Sequence, residues 1–526
     1  MKEYADPTRE STFALYSTPF NTINAAIALL AITCSMTMVP RNRWRCLLRP
    51  SFFRKSRIEL PSFSANTGLI STSSSLGRPA ATTRNASSIA IAKGATNLRI
   101  KKKPVVKSGR PPAPGERKAL RKRIVLSNPN ALEVKEIQDL DAESIAVDSI
   151  GALKGRIVSI PGESVDQLRA AEAFKPSQRW GRFRRPGTLM TKESVAMGKI
   201  LEDVEGGHKT ARRVITGEKG TGKSMLLLQA MAMAFRKGWI VISVPEAQDL
   251  TIGHTDYSPL ANSNPTSYLQ KTYLSSLLNS IRRANAPVLS ELTLSQKHSL
   301  PIPLQSNISL DRLASLGASD PDLSWPIYNA LWLELNSPSR PPILYCLDGL
   351  AHIMRPTAYL DAVNYQPIHA HDLSIVQHFL HRLSGRVELA NGGVVLAATS
   401  ASNQPSVPTL KIVLQQNEGR STRQEDASTE VAELVESRDS KQDEGIFKIP
   451  EHSPFEPLDP RVLEVMTDVD VIRLRGLDRA DARALLEYYA SSGVMRTQVD
   501  DNRVAEMWAV SGGGVVGEIE RGILGG

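Results

Sequence analysis

The chain has 526 residues, 41% of them apolar and 22% charged, as in a globular protein long enough for two or three domains. Its formal net charge is +10, yet residues 11–115 hold 16 Lys or Arg against the single acid Glu59, so that stretch carries +15 and the remainder −5. This argues against a nucleic-acid-binding body and confines any basic surface to an N-terminal tail. Cys34, Cys46 and Cys346 have neither metal-ligand spacing nor the density of a disulfide framework.

In chain order, residues 1–98 read as a disordered, basic leader. The apolar run Ala25–Ile32 is far shorter than the roughly twenty residues a membrane-crossing helix needs, so no membrane span is expected. From Met36 onward the chain is Arg-rich, Ser-rich and nearly free of acids, with Trp44, Leu47, Leu48, Phe52 and Phe53 among the arginines. That is the composition of a mitochondrial transit peptide, and also of a basic tail with no address. Glu3, Asp6 and Glu10 fit a transit peptide badly, which makes Met36 and Met38 alternative starts. A second basic tail over 99–127, whose stretch RIKKKPVVKSGRPPAPGERKALRKRI covers Arg99 to Ile124, has prolines that oppose a long helix and no aromatics for stacking bases. It suits either phosphate backbones or a solvated linker.

A folded core is expected over 128–402. LEVKEIQDLDAESI (132–145) has helical periodicity, RIVSIP (156–161) reads as a strand, RWGRFRR (179–185) as a basic loop, and Thr191 to Asp203 as an amphipathic helix around Val195, Met197, Ile200 and Leu201. RRVIT then reads as a strand leading into Gly217-Glu218-Lys219-Gly220-Thr221-Gly222-Lys223-Ser224, which matches G-x-x-x-x-G-K-[ST] in full. MLLLQAMAMAF follows as a helix apolar on all faces, hence buried, with its methionines as core filling. Glycines at 217, 220 and 222 let successive N–H groups turn inward on a phosphate, and the helix adds its positive end. Gly217 to Ser224, with Met225 behind them, are the expected nucleotide contacts: Lys223 on the phosphate oxygens and Ser224 on Mg²⁺.

A P-loop needs a carboxylate near the metal. PPILYCLDG supplies Asp348 at the end of an unbroken apolar run, as in a strand buried on both faces. WIVISVP (239–245) and GGVVLAATS (392–400) read as further strands of one parallel sheet, the latter after a helix around Leu373 to Leu389. At its end Thr399 and Ser400 stand where a polar residue senses the γ-phosphate in AAA+ ATPases, although Ser and Thr are common at strand ends. A Ser- and Leu-rich insertion is expected over 285–324 and a disordered polar one over 403–460. The C-terminal part, 461–526, reads as a small helical lid: a strand from Val469, a cap at Asp478, a helix with Ala482, Leu485, Leu486 and Tyr489 inward, and a Gly-rich turn at Ser511 to Gly514 that either approaches the nucleotide or only joins two helices. The fold class is therefore α/β: an AAA+-like P-loop NTPase with a parallel sheet flanked by helices.

The run RRVITGEKGTGKSMLLLQAMAMAFRKGWIVISVPEA, followed by Asp348 in a buried strand, resembles the death-associated protein 3 family, P-loop proteins of the mitochondrial small ribosomal subunit, in a fungal form. The resemblance covers roughly Ile160 to the C-terminus. It implies a fold related to AAA+ ATPases, a bound purine nucleotide usually described as GTP, and a place among small-subunit ribosomal proteins and rRNA near a bridge to the large subunit, in the mitochondrial matrix.

Hydrolysing ATPases of the AAA+ type follow the Mg-site Asp with a Glu that activates water, but Asp348 is followed by Gly349, Leu350 and Ala351. His352 is the nearest substitute base, and a lone His after a strand is more often simply packed. Slow or absent turnover is expected. Guanine cannot be told from adenine here: Thr191-Lys192 is followed by Glu193-Ser194, without the Asp of an N/T-K-x-D loop, and Ala351 replaces the Gly of a D-x-x-G switch. GTP/GDP and ATP both stand, with Mg²⁺. The alternative to a ribosomal constituent is a free AAA+-type ATPase acting on protein or DNA, with Arg473, Arg475 and Arg496 as possible fingers in trans.

Overall fold

The computed structural model describes residues 113–430 and 457–524, apart from 262 and 306. The leader, the alternative starts and the expected disorder of residues 431–456 lie outside them.

Residues 113–127 were expected to belong to a solvated basic tail, and the structure corrects this. Helix α1 (Pro114–Lys122) opens with proline at its first turn, where the missing N–H costs nothing, and docks on the body through its arginines. Arg121, 8% exposed, donates to Glu172 at 3.2 Å and Asp249 at 2.9 Å and also pairs with Glu246. Arg117 adds bonds to Glu246 at 2.9 Å and Asp249 at 3.3 Å. Two cations set among three carboxylates leave no positive excess, so what reads as surplus charge is consumed internally. The helix expected over 132–145 is also shortened. Its first half turns at Lys135–Glu136 before the short strand Gln138–Asp139, and helix begins only at Ala142, after Asp141 accepts the cap position and binds the Ser144 hydroxyl through its amide.

Next come α2 (Lys192–Gly207), begun by the hydroxyl of Thr191, and the central sheet. The sheet holds β1 (Thr210–Gly217), β2 (Ile240–Val244), β3 (Ile343–Asp348), β4 (Gly393–Ala398) and β5 (Asp470–Leu474), all parallel, in the order β5-β1-β4-β3-β2. Side chains alternate between two apolar faces, as strands covered on both sides require. Leu344, Cys346, Leu396 and Ile215 pack with α2 and with α3 (Lys223–Arg236), in which every residue from Leu226 to Phe235 is buried. Ile343, Tyr345, Leu347 and Val395 face the other layer: α4 (Lys271–Ala284), α5 (Ala286–Glu291), α6 (Leu310–Ser319), α7 (Ser324–Leu335) and α8 (Ser374–Leu383).

The supposed insertion 285–324 is thus part of that layer. Leu289, Leu310, Leu313 and Ala314 are buried in it, and Asn285 binds the β2 backbone at Val241 through both its amide nitrogen and its oxygen. Fully buried Glu334 gathers the intervening loop, accepting from the Ser295 amide (2.9 Å) and hydroxyl (2.7 Å), the Gln296 amide (2.9 Å) and Arg340 (3.1 Å). The start of the 403–460 insertion is ordered too. Helix α9 (Pro408–Glu430) buries Leu410, Ile412, Val413 and Leu414, and Asn417 ties it to the carbonyls of Met466 and Val469 beside α10 (Pro460–Met466). The apolar residues Leu410 and Ile412 to Leu414 were hidden by the polar composition around them. Among the described residues no helix is long and apolar enough to cross a membrane.

Two measurements check this packing. Arg121→Ala leaves buried Glu172 without its cation and Asp249 with Arg117 alone, and should cost about 3 kcal/mol of unfolding free energy in a denaturant titration. For Glu334, burial by itself would raise the carboxyl, but hydrogen bonds from Ser295, His298 and Gln296 hold it at about 2. Its folded pKa lies below the unfolded value of about 4.3, so its stabilisation is present above that value and disappears as pH falls through about 2. The stability difference between wild type and Glu334→Gln should therefore shrink steadily from pH 5 towards pH 2.

Candidate functional site

The strand order brings three ends to one edge of the sheet. Ala398 of β4 pairs with Ile215 of β1 on one side and with Asp348 of β3 on the other, so β4 lies between the glycine-rich loop and the acidic strand. Thr399 emerges between them.

The loop from Gly217 to Gly222 turns through three glycines with φ of +143°, +85° and +98°, a region that side chains avoid. A Cβ at residue 217 would stand 2.5 Å from the Leu474 carbonyl oxygen, so β5 packs directly on the loop's first residue. Among the described residues, the amides of 218–222 donate to no protein acceptor. Lys223, at the start of α3, turns its ammonium back onto the carbonyls of Gly217 (2.8 Å) and Glu218 (2.5 Å), and Thr221 donates to Glu218 at 3.0 Å. Burial lowers the Lys223 pKa, while the charges of Asp348 and Glu218 pull the other way. Unpartnered amides, an ammonium and a helix N-terminus together fit a polyphosphate.

Ser224 donates to Asp348 Oδ2 at 2.7 Å, so the two residues expected to serve a metal are adjacent. The same oxygen is ion-paired by Lys175, a residue the motif gave no reason to expect. Asp348 is buried, and Lys175 and Ser224 stand between it and the cavity. Thr399 lines the cavity, but its amide and hydroxyl both donate to the Ile215 carbonyl, at 3.0 and 3.3 Å. Ser400, also on the wall, lies 3.4 Å from the Ser402 hydroxyl. His352 is buried outside the lining, and its burial lowers its pKa.

The cavity measures about 490 Å³. Its floor is Lys219 to Leu226. One wall comes from the antiparallel pair Ile157–Ser159 and Gly187–Leu189. The roof comes from α11 (Arg479–Ser491) and from α13 (Val516–Leu524), which follows α12 (Asp501–Val510). The Gly517 amide donates to the Gly220 carbonyl at 2.9 Å, which fastens the last helix to the glycine-rich loop. Phe183 stacks on Tyr488 at 5.1 Å and Tyr489 at 5.5 Å, and Tyr489 holds Glu520 at 3.1 Å; the Glu520 carboxyl is raised by burial. The stretch expected to be only a basic loop, 179–185, therefore supplies aromatic anchors. The Gly-rich turn Ser511 to Gly514 does not line the cavity. It braces the roof from behind, with Leu477 donating to Gly514 at 2.8 Å and Trp508 to Leu477 at 2.8 Å. Of the three arginines, Arg475 lines the cavity and Arg473 is bound to Glu418 at 2.9 Å.

These elements define an α/β protein with a parallel five-stranded sheet and a glycine-rich loop roofed by C-terminal helices. Residues 188–522 match the family model described as mitochondrial ribosomal death-associated protein 3, and the chain belongs to that family. It is 40% identical over 496 residues to the small ribosomal subunit protein mS29 of Neurospora crassa, covering 93% of this chain and 99% of that one. The Schizosaccharomyces pombe protein of the same name is 22% identical over 357 residues, 66% of this chain and 67% of its own.

The loop's tight fit gives a graded expectation. Gly217→Ala combines a disfavoured φ with the Leu474 carbonyl and should cost about 3 kcal/mol. Gly222→Ala, equally left-handed but with open space beyond it, should cost about 1 kcal/mol. Thermal denaturation of the two variants should separate them in that order.

Proposed function

We propose that this chain is a constituent of the mitochondrial small ribosomal subunit whose glycine-rich loop holds a purine nucleotide as a structural ligand. Family membership makes it a protein of the mitochondrial ribosome, and a small-subunit protein of Neurospora crassa matches it nearly end to end. The observation that carries the nucleotide half is the set of free amides at 218–222 beside the Lys223 ammonium, opening into a cavity large enough for a nucleoside phosphate.

In this reading residues 218–224 cradle the phosphates, Lys223 exchanges its carbonyl partners for phosphate oxygens, and Met225 backs the helix start. Ser224 and Asp348 are the residues that would hold Mg²⁺, which when bound screens phosphate charge. The Thr399 hydroxyl is already engaged, and Ser400 is the freer of the two polar groups toward a terminal phosphate. Slow or absent cleavage is expected on two grounds: Gly349 stands after Asp348 where a water-activating Glu would be, and His352 is buried away from the lining. A ligand that contacts both the loop and the C-terminal roof stabilises the fold by linkage, by about 2.7 kcal/mol at a hundredfold excess over its Kd. The basic residues of 99–112 suit rRNA backbone, and a position near the bridge to the large subunit follows the family resemblance.

Lys223→Ala should weaken binding of fluorescent guanine or adenine nucleotide at least about tenfold. Wild type should release phosphate no faster than that variant, and the tagged protein should sediment with the small ribosomal subunit. Sustained phosphate release that the substitution abolishes, from protein that does not co-sediment, would establish the free ATPase instead.

A further inference from the structure

We infer that Lys175 is a built-in cation for the acidic seat of the phosphate site, so that polyphosphate binding there is largely independent of divalent metal. The inference rests on the nucleotide-holding reading above.

Lys175 and Ser224 both engage Oδ2 of Asp348, and both line the cavity while Asp348 does not. The lysine thus covers the carboxylate on the side from which a metal–phosphate complex would arrive. Its position is built. The Lys175 amide donates to Gln178 Oε1 at 2.7 Å, and that same oxygen accepts from Trp180 Nε1 at 2.8 Å. Phe174, just before it, is buried and meets Trp180 edge-on at 5.5 Å. Three residues earlier, Glu172 adopts φ +54° and is gripped by Arg121. The segment 172–180 is therefore fastened on both sides of the lysine, whose own side chain is 26% exposed.

The electrostatic consequence is direct. A bare carboxylate beside a phosphate site repels the ligand unless a divalent ion bridges the two. With Lys175 on Asp348 that repulsion is cancelled before any ligand arrives, and the ammonium lies beside Ser224 at the first turn of α3, next to the phosphate loop. Magnesium must displace an ammonium already in place, so it adds little. A site charged in this way retains its nucleotide without the metal geometry that cleavage requires, which agrees with the missing base after Asp348.

The test is equilibrium binding of N-methylanthraniloyl GTP and ATP to the full chain, in Mg²⁺ and in excess EDTA, for wild type, Lys175→Met and Lys175→Arg. Each variant is first checked for an unchanged unfolding transition in ligand-free buffer. Wild type and Lys175→Arg should bind within about threefold in the two buffers, whereas Lys175→Met, which keeps the aliphatic stem without the charge, should bind at least about tenfold more weakly in EDTA than in Mg²⁺. Strict Mg²⁺ dependence of wild type, or equal metal response in wild type and Lys175→Met, overturns the role of Lys175 while leaving the nucleotide site standing. Failure of wild type to bind either probe in either buffer overturns the nucleotide reading itself.

Discussion

A carboxylate at the end of a strand buried on both faces cannot remain unpaired, because the energy of taking it out of water must be recovered from partners with good geometry. Asp348 is that carboxylate. Ser224 reaches it from the first turn of the loop helix, and Lys175 from a segment that precedes the sheet. Satisfying one oxygen therefore draws together three pieces of chain that are distant in sequence, and the cavity forms where they meet. The strand order makes this possible: with β4 between β1 and β3, the loop and the acid stand one strand apart, close enough for a serine to bridge them.

The same economy of charge governs the N-terminal side. The arginines of α1 are spent on Glu172, Glu246 and Asp249, and Glu172 belongs to the turn that positions Lys175. A basic helix outside the sheet is thereby coupled, through one glutamate and one short segment, to the carboxylate beside the glycine-rich loop. Above the cavity, the Gly517–Gly220 bond and the Phe183–Tyr488–Tyr489 stack join the C-terminal helices to the loop and to the small hairpin wall. A ligand in this cavity would touch the start, middle and end of the folded chain.

The sequence by itself determined the loop, four strands of the sheet, the buried helix behind the loop and the position of Asp348 at a strand end; the fifth strand, Asp470–Leu474, it assigned to the C-terminal lid, whereas it pairs in parallel with β1 at the edge of the sheet. Each of these is a local pattern: a spacing of glycines, or an apolar run whose length and flanks permit only one element. It misjudged residues 113–127, 285–324 and 408–420, where polar or basic composition outweighed short apolar sets such as Leu410, Val413 and Leu414. Composition averages over a window, whereas docking depends on a few residues sharing a face. Only the tertiary structure decided that Lys175 covers Asp348, that Thr399 is bound to β1, and that the final helix, not the glycine turn before it, roofs the cavity. Those facts depend on which distant segments meet across the sheet, and the pairing of charges between such segments leaves no periodic trace in the chain.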